Sequence, residues 1–118
     1  MARPGRPLAQ QITFLATRDL ARTADFYERV LGLRLARDQG RCRVYHVSGN
    51  AYLGFCETGD AVAPASGLTI TLVTDAVDEW CRHLAEEGVE IVKAPADNPP
   101  YRIYNAFVRD PIGYLLEI

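Results

Sequence analysis

The sequence predicts an α+β fold: two tandem βαβββ units forming a curved, cup-shaped mixed sheet with helices on the outer face. Three observations lead there. Asp19 and Gly32 bracket one apolar-periodic segment, and Asp75 and Gly88 bracket another with the same 13-residue interval. The two intervals stand 56 residues apart, each preceded by one β-prone run and followed by three, the mark of an internal duplication. A unit of this kind has one sheet face under its helix and one open. Two joined side by side would curl so that the open faces line a cup.

The elements follow in order. Gln11–Thr17 is apolar and β-prone. Asp19 can cap a helix over Leu20–Leu31, where Leu20, Ala24, Tyr27 and Leu31 share a face and Gly32 is placed as the stop. Strands are expected over Leu33–Arg37, Cys42–Val47 and Ala51–Glu57, divided by turns at Gln39-Gly40 and Ser48-Gly49-Asn50. Thr58–Gly67 reads as an exposed linker. Leu68–Val73 is then a strand, Asp75–Glu87 a helix burying Val77, Trp80, Cys81 and Leu84, and Val89–Lys93 a strand. A Pro-rich loop, Ala94–Pro100, leads to a closing hairpin. In that hairpin Ala106–Arg109 and Tyr114–Ile118 flank the turn Asp110-Pro111-Ile112-Gly113.

The chain has 118 residues, 48% of them apolar, and a net charge of −2, which suits one domain of ordinary core size. Residues 1–10, with Arg3, Pro4, Gly5, Arg6 and Pro7, are expected to be a flexible leader. Residues 11–118 form the domain, with units 11–57 and 67–118. No apolar run approaches the ~20 residues of a membrane span, and the scattered charges form no nucleic-acid or membrane surface. Cys42, Cys56 and Cys81 lack metal-finger spacing and are odd in number. They read as free thiols in a reducing cytoplasm.

Glu117 stands between Leu116 and Ile118 in the last strand. A carboxylate there must face water or a polar cavity, because burying it unpaired is costly. It is the candidate catalytic residue, as a general base, or the anchor for a cationic ligand group. The alternative is a structural carboxylate bonded to backbone or tyrosine groups.

The runs D-L-A-R-T-A-D-F-Y-E-R-V-L-G-L (Asp19–Leu33), E-E-G-V-E-I (Glu86–Ile91) and R-D-P-I-G-Y-L-L-E-I (Arg109–Ile118) resemble the vicinal oxygen chelate superfamily. That group includes glyoxalase I, extradiol dioxygenases, fosfomycin-resistance enzymes and bleomycin-binding proteins. The resemblance implies one divalent metal in the cup, held by His, Gln or Glu from the first and last strands of each unit. It carries those positions onto Ile12, Gly54, Thr69 (or Leu68 by a second count) and Glu117. Ile and Gly offer no donor, and a neutral Thr hydroxyl is a poor ligand. Gln11 and Glu57 have the wrong strand parity to step in. His46 lies on a strand, where a hydrogen-bonded or solvent-facing role is expected, and His83 lies on a helix surface. The expected assignment is therefore no metal ligands and no cofactor, with a divalent metal as the disfavoured alternative.

The expected ligand-binding residues are Phe14, Tyr52, Cys56, Thr69, Tyr101 and Tyr104. Phe14 and Tyr52 would be aromatic walls. Cys56 shares their face as a small packing residue, having no evident base to make it a nucleophile. Tyr101, Arg102, Tyr104 and Asn105 would sit at the rim, or touch a partner subunit, since members of this superfamily commonly pair as dimers. Arg41 and Arg43 read as a solvated edge. Two functions follow. One is a homodimer that binds a small organic molecule; the other is a lyase, isomerase or dioxygenase-like enzyme using a rearranged metal site or Glu117.

Overall fold

The computed structural model describes residues 2–59 and 67–118, which fall in two βαβββ units, Met1–Ala61 and Val62–Ile118. The expected linker Thr58–Gly67 lies largely outside the described residues. Residues 2–10 are exposed and carry no regular secondary structure.

In the first unit the strands are β1 (Gln11–Thr17), β2 (Arg34–Asp38), β3 (Cys42–Ser48) and β4 (Ala51–Glu57), in the order β1-β4-β3-β2. β1 runs parallel to β4, and the remaining pairs are antiparallel. Helix α1 (Leu20–Ala24) starts at Asp19, whose carboxylate accepts from the Arg22 amide at 3.1 Å. The amide of Leu20 donates to Glu57 Oε1 at 3.1 Å, so the end of β4 helps cap the same helix.

The expected helix Leu20–Leu31 does not remain α-helical. It widens into a π turn over Asp25–Val30, with the Leu31 amide donating to the Phe26 carbonyl at 2.9 Å. Phe26, Tyr27, Val30 and Leu31, along and just after this turn, are all buried. Tyr27 stacks near Phe55 at 4.4 Å between ring centroids, and Tyr45 closes the cluster.

The Tyr45 hydroxyl donates to Glu28 Oε2 at 2.9 Å. Burial first, then that carboxylate, pushes the phenol up to about 12. An unfolded tyrosine ionises near pH 10, so between these values the unfolded chain binds fewer protons and stability falls as pH rises. In urea titrations from pH 9 to 12, the wild type should lose roughly 2–3 kcal/mol more than Tyr45→Phe. Parallel profiles for the two proteins would contradict this role. Arg43 corrects the expected solvated edge. β3 is an interior strand, and Arg43 Nη1 stands 3.4 Å from Glu28 Oε2, while Arg41 Nη2 donates to the Glu57 carbonyl.

In the second unit the strands are β5 (Thr69–Thr71), β6 (Glu90–Asn98), β7 (Ile103–Arg109) and β8 (Leu115–Glu117), ordered β5-β8-β7-β6, with helix α2 (Val77–Glu86). β5 is parallel to β8, and the other pairs are antiparallel. α2 buries Val77, Cys81 and Leu84. Trp80, expected among them, is instead half-exposed with its ring against His83.

The Pro-rich loop is also corrected. Ala94–Asn98 continues β6, leaving only the short turn Pro99–Tyr101 before β7. Pro95 is tolerated because β6 is an edge strand and its register shifts between Lys93 and Ala96. Arg102 leaves that turn in the left-handed conformation, φ 55°. No helix among the described residues is long and apolar enough to cross a membrane.

Candidate functional site

Strand pairing decides which side chains share the face of each sheet away from its helix. In the second unit, Thr71, Glu117 and Phe107 lie in one cross-strand row. Ile70, Leu116 and Val108 form the alternate row and are buried. Glu117 therefore projects from the sheet face opposite the core.

Its two oxygens are held separately. Thr71 Oγ1 donates to Oε1 at 2.8 Å and Asn105 Nδ2 donates to Oε2 at 2.7 Å. Asn105 is only 3% exposed, and its Oδ1 is buried with no partner among the described residues. The hydroxyl beside the carboxylate is thus Thr71's. Thr69 stands two residues earlier, opposite Leu115. Thr69 and Thr71 share the exposed face of β5, with Ile70 between them buried.

Glu117, Asn105 and Thr71 line a cleft of about 220 Å³ together with Val73, Ile103 and Tyr104. Around it the surface is unusually apolar. Val73 is 94% exposed, and Ile103 and Tyr104 are each a little over two-fifths exposed. Tyr104 donates its hydroxyl to Asp78 of α2, an interaction that raises its pKa above the ordinary tyrosine value. Tyr101, in the Pro99–Tyr101 turn, is 73% exposed. This arrangement can present a fixed carboxylate to a cationic or N–H-bearing group beside an apolar wall.

In the first unit the corresponding face carries three cross-strand rows. They are Ile12–Tyr52–His46–Arg34, Phe14–Gly54–Val44–Arg37 and Ala16–Cys56–Cys42. The Phe14 ring lies directly on Gly54. A Cβ added there would meet ring carbons at 2.5 Å, so only glycine allows this pose. His46 Nε2 is 2.9 Å from the Gly49 carbonyl, and its ring meets Tyr52.

Cys42 and Cys56 are joined in a disulfide, which corrects the reading of three free thiols; Cys81 alone is free, and it is buried. The two cysteines face each other in the β3–β4 register, a proximity that linear spacing does not reveal. Cys56 therefore offers no thiol to a ligand.

The divalent metal that the resemblance implies is a poor match to these side chains. Ile12, Phe14 and Gly54 supply no donor on the first sheet, and a ring covers Gly54. The second sheet supplies one carboxylate, already engaged by two neutral donors. Among the described residues, no group of three or more His, Cys, Asp or Glu is placed to hold an ion. One carboxylate does not retain a transition metal against water. The residues present do not fit the metal.

Residues 9–118 match the profile of the Glyoxalase/Bleomycin resistance protein/Dioxygenase superfamily. Among solved structures, the chain is similar to TioX from Micromonospora sp. ML1, at 27% identity and a TM-score of 0.75, covering 92% of this chain and 94% of that one. It is also similar to a lactoylglutathione lyase from Agrobacterium tumefaciens (22% identity, TM-score 0.69, 94% and 92% covered). A third is a glyoxalase/bleomycin resistance protein/dioxygenase from Nocardioides (24%, 0.70, 98% and 83%). The last two likenesses carry the fold alone. No curated protein matches the chain in sequence.

Proposed function

This chain belongs to the Glyoxalase/Bleomycin resistance protein/Dioxygenase superfamily, and we propose that it binds a small organic molecule through a carboxylate rather than a metal ion. The observation that carries this reading is Glu117, fixed by Thr71 and Asn105 on an apolar-rimmed cleft. The ligand class is a molecule with an apolar body and a cationic or N–H donor group.

Glu117→Gln gives up hydrogen bonds from Thr71 and Asn105 to a carboxylate and should cost about 1–2 kcal/mol of stability while leaving the protein folded. Thermal-shift screening against catechols, glyoxal adducts and aromatic or glycopeptide antibiotics should find compounds that stabilise the wild type by mass action. The variant should lose that shift. Equal shifts in both proteins would remove Glu117 from the site. Turnover abolished in the variant while binding persists would make Glu117 a base and the protein an enzyme.

Homodimerisation belongs to the same proposal, supported by the exposed Tyr101 and Ile103 beside the cleft. A cytoplasmic home is also proposed, against which the Cys42–Cys56 disulfide counts, since such bonds are rare in that compartment. Cell fractionation tests it, and recovery of the protein outside the cytosol would contradict it.

A further inference from the structure

We infer that the Cys42–Cys56 disulfide is an exchange site for low-molecular-weight thiols, and that its redox state governs how firmly the start of α1 is held. Glu117 has no part in it.

Cys42 is the first residue of β3, and Cys56 stands one residue from the end of β4, so the bond closes one end of the β3–β4 ladder. The Glu57 amide donates to the Arg41 carbonyl at 2.8 Å. That makes Cys42 and Cys56 a non-hydrogen-bonded cross-strand pair, the kind whose side chains stand closest. Their Cα atoms are 4.0 Å apart. Both cysteines are partly exposed. Cys81, by contrast, is buried, and burial first, then Asp78, pushes its thiol up. A dissolved thiol therefore meets the bonded pair far more readily than the free cysteine.

The strands do not depend on the bond for their order. β4 lies between β1 and β3 and pairs with both along its length, so the two sulfurs remain neighbours after reduction. In the forward direction a thiolate, RS⁻, attacks one sulfur, forms a mixed disulfide and releases the other cysteine. A second RS⁻ removes the adduct as RSSR and releases the first cysteine. Two electrons enter the protein, and the protons given up by the two thiols end on the cysteines. RSSR reverses both steps, helped by the high effective concentration at which the ladder keeps the dithiol. Disulfides that do occur in a reducing compartment are mostly of this exchanging kind.

Glu57, next to Cys56, carries the effect to the helix. Its carbonyl accepts from Arg41 Nη2 at 3.1 Å, and its Oε1 accepts from the Leu20 amide at 3.1 Å. The Thr58 amide that follows donates to the Thr17 carbonyl at 3.0 Å. With the crosslink open, the last residues of β4 fray more readily, and the cap on Leu20 goes with them. α1 is only five residues long, so few bonds of its own hold that end.

The test incubates the intact chain in millimolar reduced glutathione without denaturant, then labels thiols with N-ethylmaleimide and maps them by mass spectrometry. Cys42 and Cys56 should take the label and Cys81 should not, with far-UV circular dichroism unchanged. Oxidised glutathione should restore the bond. Hydrogen exchange then compares the two forms. The Leu20, Glu57 and Thr58 amides should exchange about tenfold faster in the reduced form. Those of Ile112, Gly113 and Tyr114, in the second unit, should exchange alike in both. The double variant Cys42→Ser, Cys56→Ser should show the reduced-form rates in either buffer.

Labelling of Cys42 and Cys56 only in urea overturns the inference, as does a reduction that abolishes the circular dichroism. Equal exchange rates at Leu20 and Glu57 in the two forms overturn it too, as do rates in the double variant that still follow the glutathione poise. The labelling and exchange arms use wild-type protein, so they decide the matter even where the double variant does not fold.

Discussion

Asp110→Ala should cost about 3 kcal/mol or more of folding stability, a large share of the total for a domain of this size. One oxygen, Oδ1, accepts from three successive backbone amides, those of Ile112, Gly113 and Tyr114, at 3.0, 2.9 and 2.9 Å. The residue is 4% exposed, so water does not readily replace the carboxylate once it is gone. Gly113, at φ 108°, completes a turn that a residue with a side chain adopts only under strain.

The turn sets the register of β7 against β8, which places Phe107 opposite Glu117. The consequence therefore reaches the site as well as the fold. Asp110→Asn retains an acceptor and should lose roughly half as much. Urea denaturation gives both values, and an alanine variant within 1 kcal/mol of wild type would show that the turn holds without its carboxylate.

The second large effect is expected at Phe55, and its neighbour supplies the contrast. Phe55 is fully buried against Tyr27 and Tyr45. Truncation to alanine should cost about 3–5 kcal/mol through lost burial and an unfilled cavity. Gly54, one residue earlier, faces the other side of the sheet, and the nearest atoms to a Cβ placed there are ring atoms of a half-exposed Phe14. Gly54→Ala should cost far less, because the ring can move into solvent. Equal losses at the two positions would contradict the strand parity on which the first sheet has been described.

That parity was legible in the sequence, as were the duplication, the Asp19 cap and the D-P-I-G hairpin, because each is a local pattern. Glu117 could be singled out for the same reason: a carboxylate in an apolar strand needs a polar surrounding. What escaped depends on tertiary partners. The π turn over Asp25–Val30 keeps the apolar spacing of a regular helix and so leaves no mark in the sequence. The disulfide arises because β3 and β4 bring Cys42 opposite Cys56. Pro95 looked like a strand breaker, yet an edge position with a shifted register accommodates it. The Thr71 and Asn105 donors come from two other strands, 46 and 12 residues from Glu117. No linear spacing announces them. Trp80 had the helical phase of a core residue, but α2 turns it outward beside His83.

The most direct test of the carboxylate reading is elemental analysis of untagged protein purified without chelators, run beside Glu117→Ala. The expected result is far less than one equivalent of Ni, Zn, Mn or Fe per chain, with the same background in the variant. One tightly held equivalent in the wild type, absent from Glu117→Ala, would contradict it.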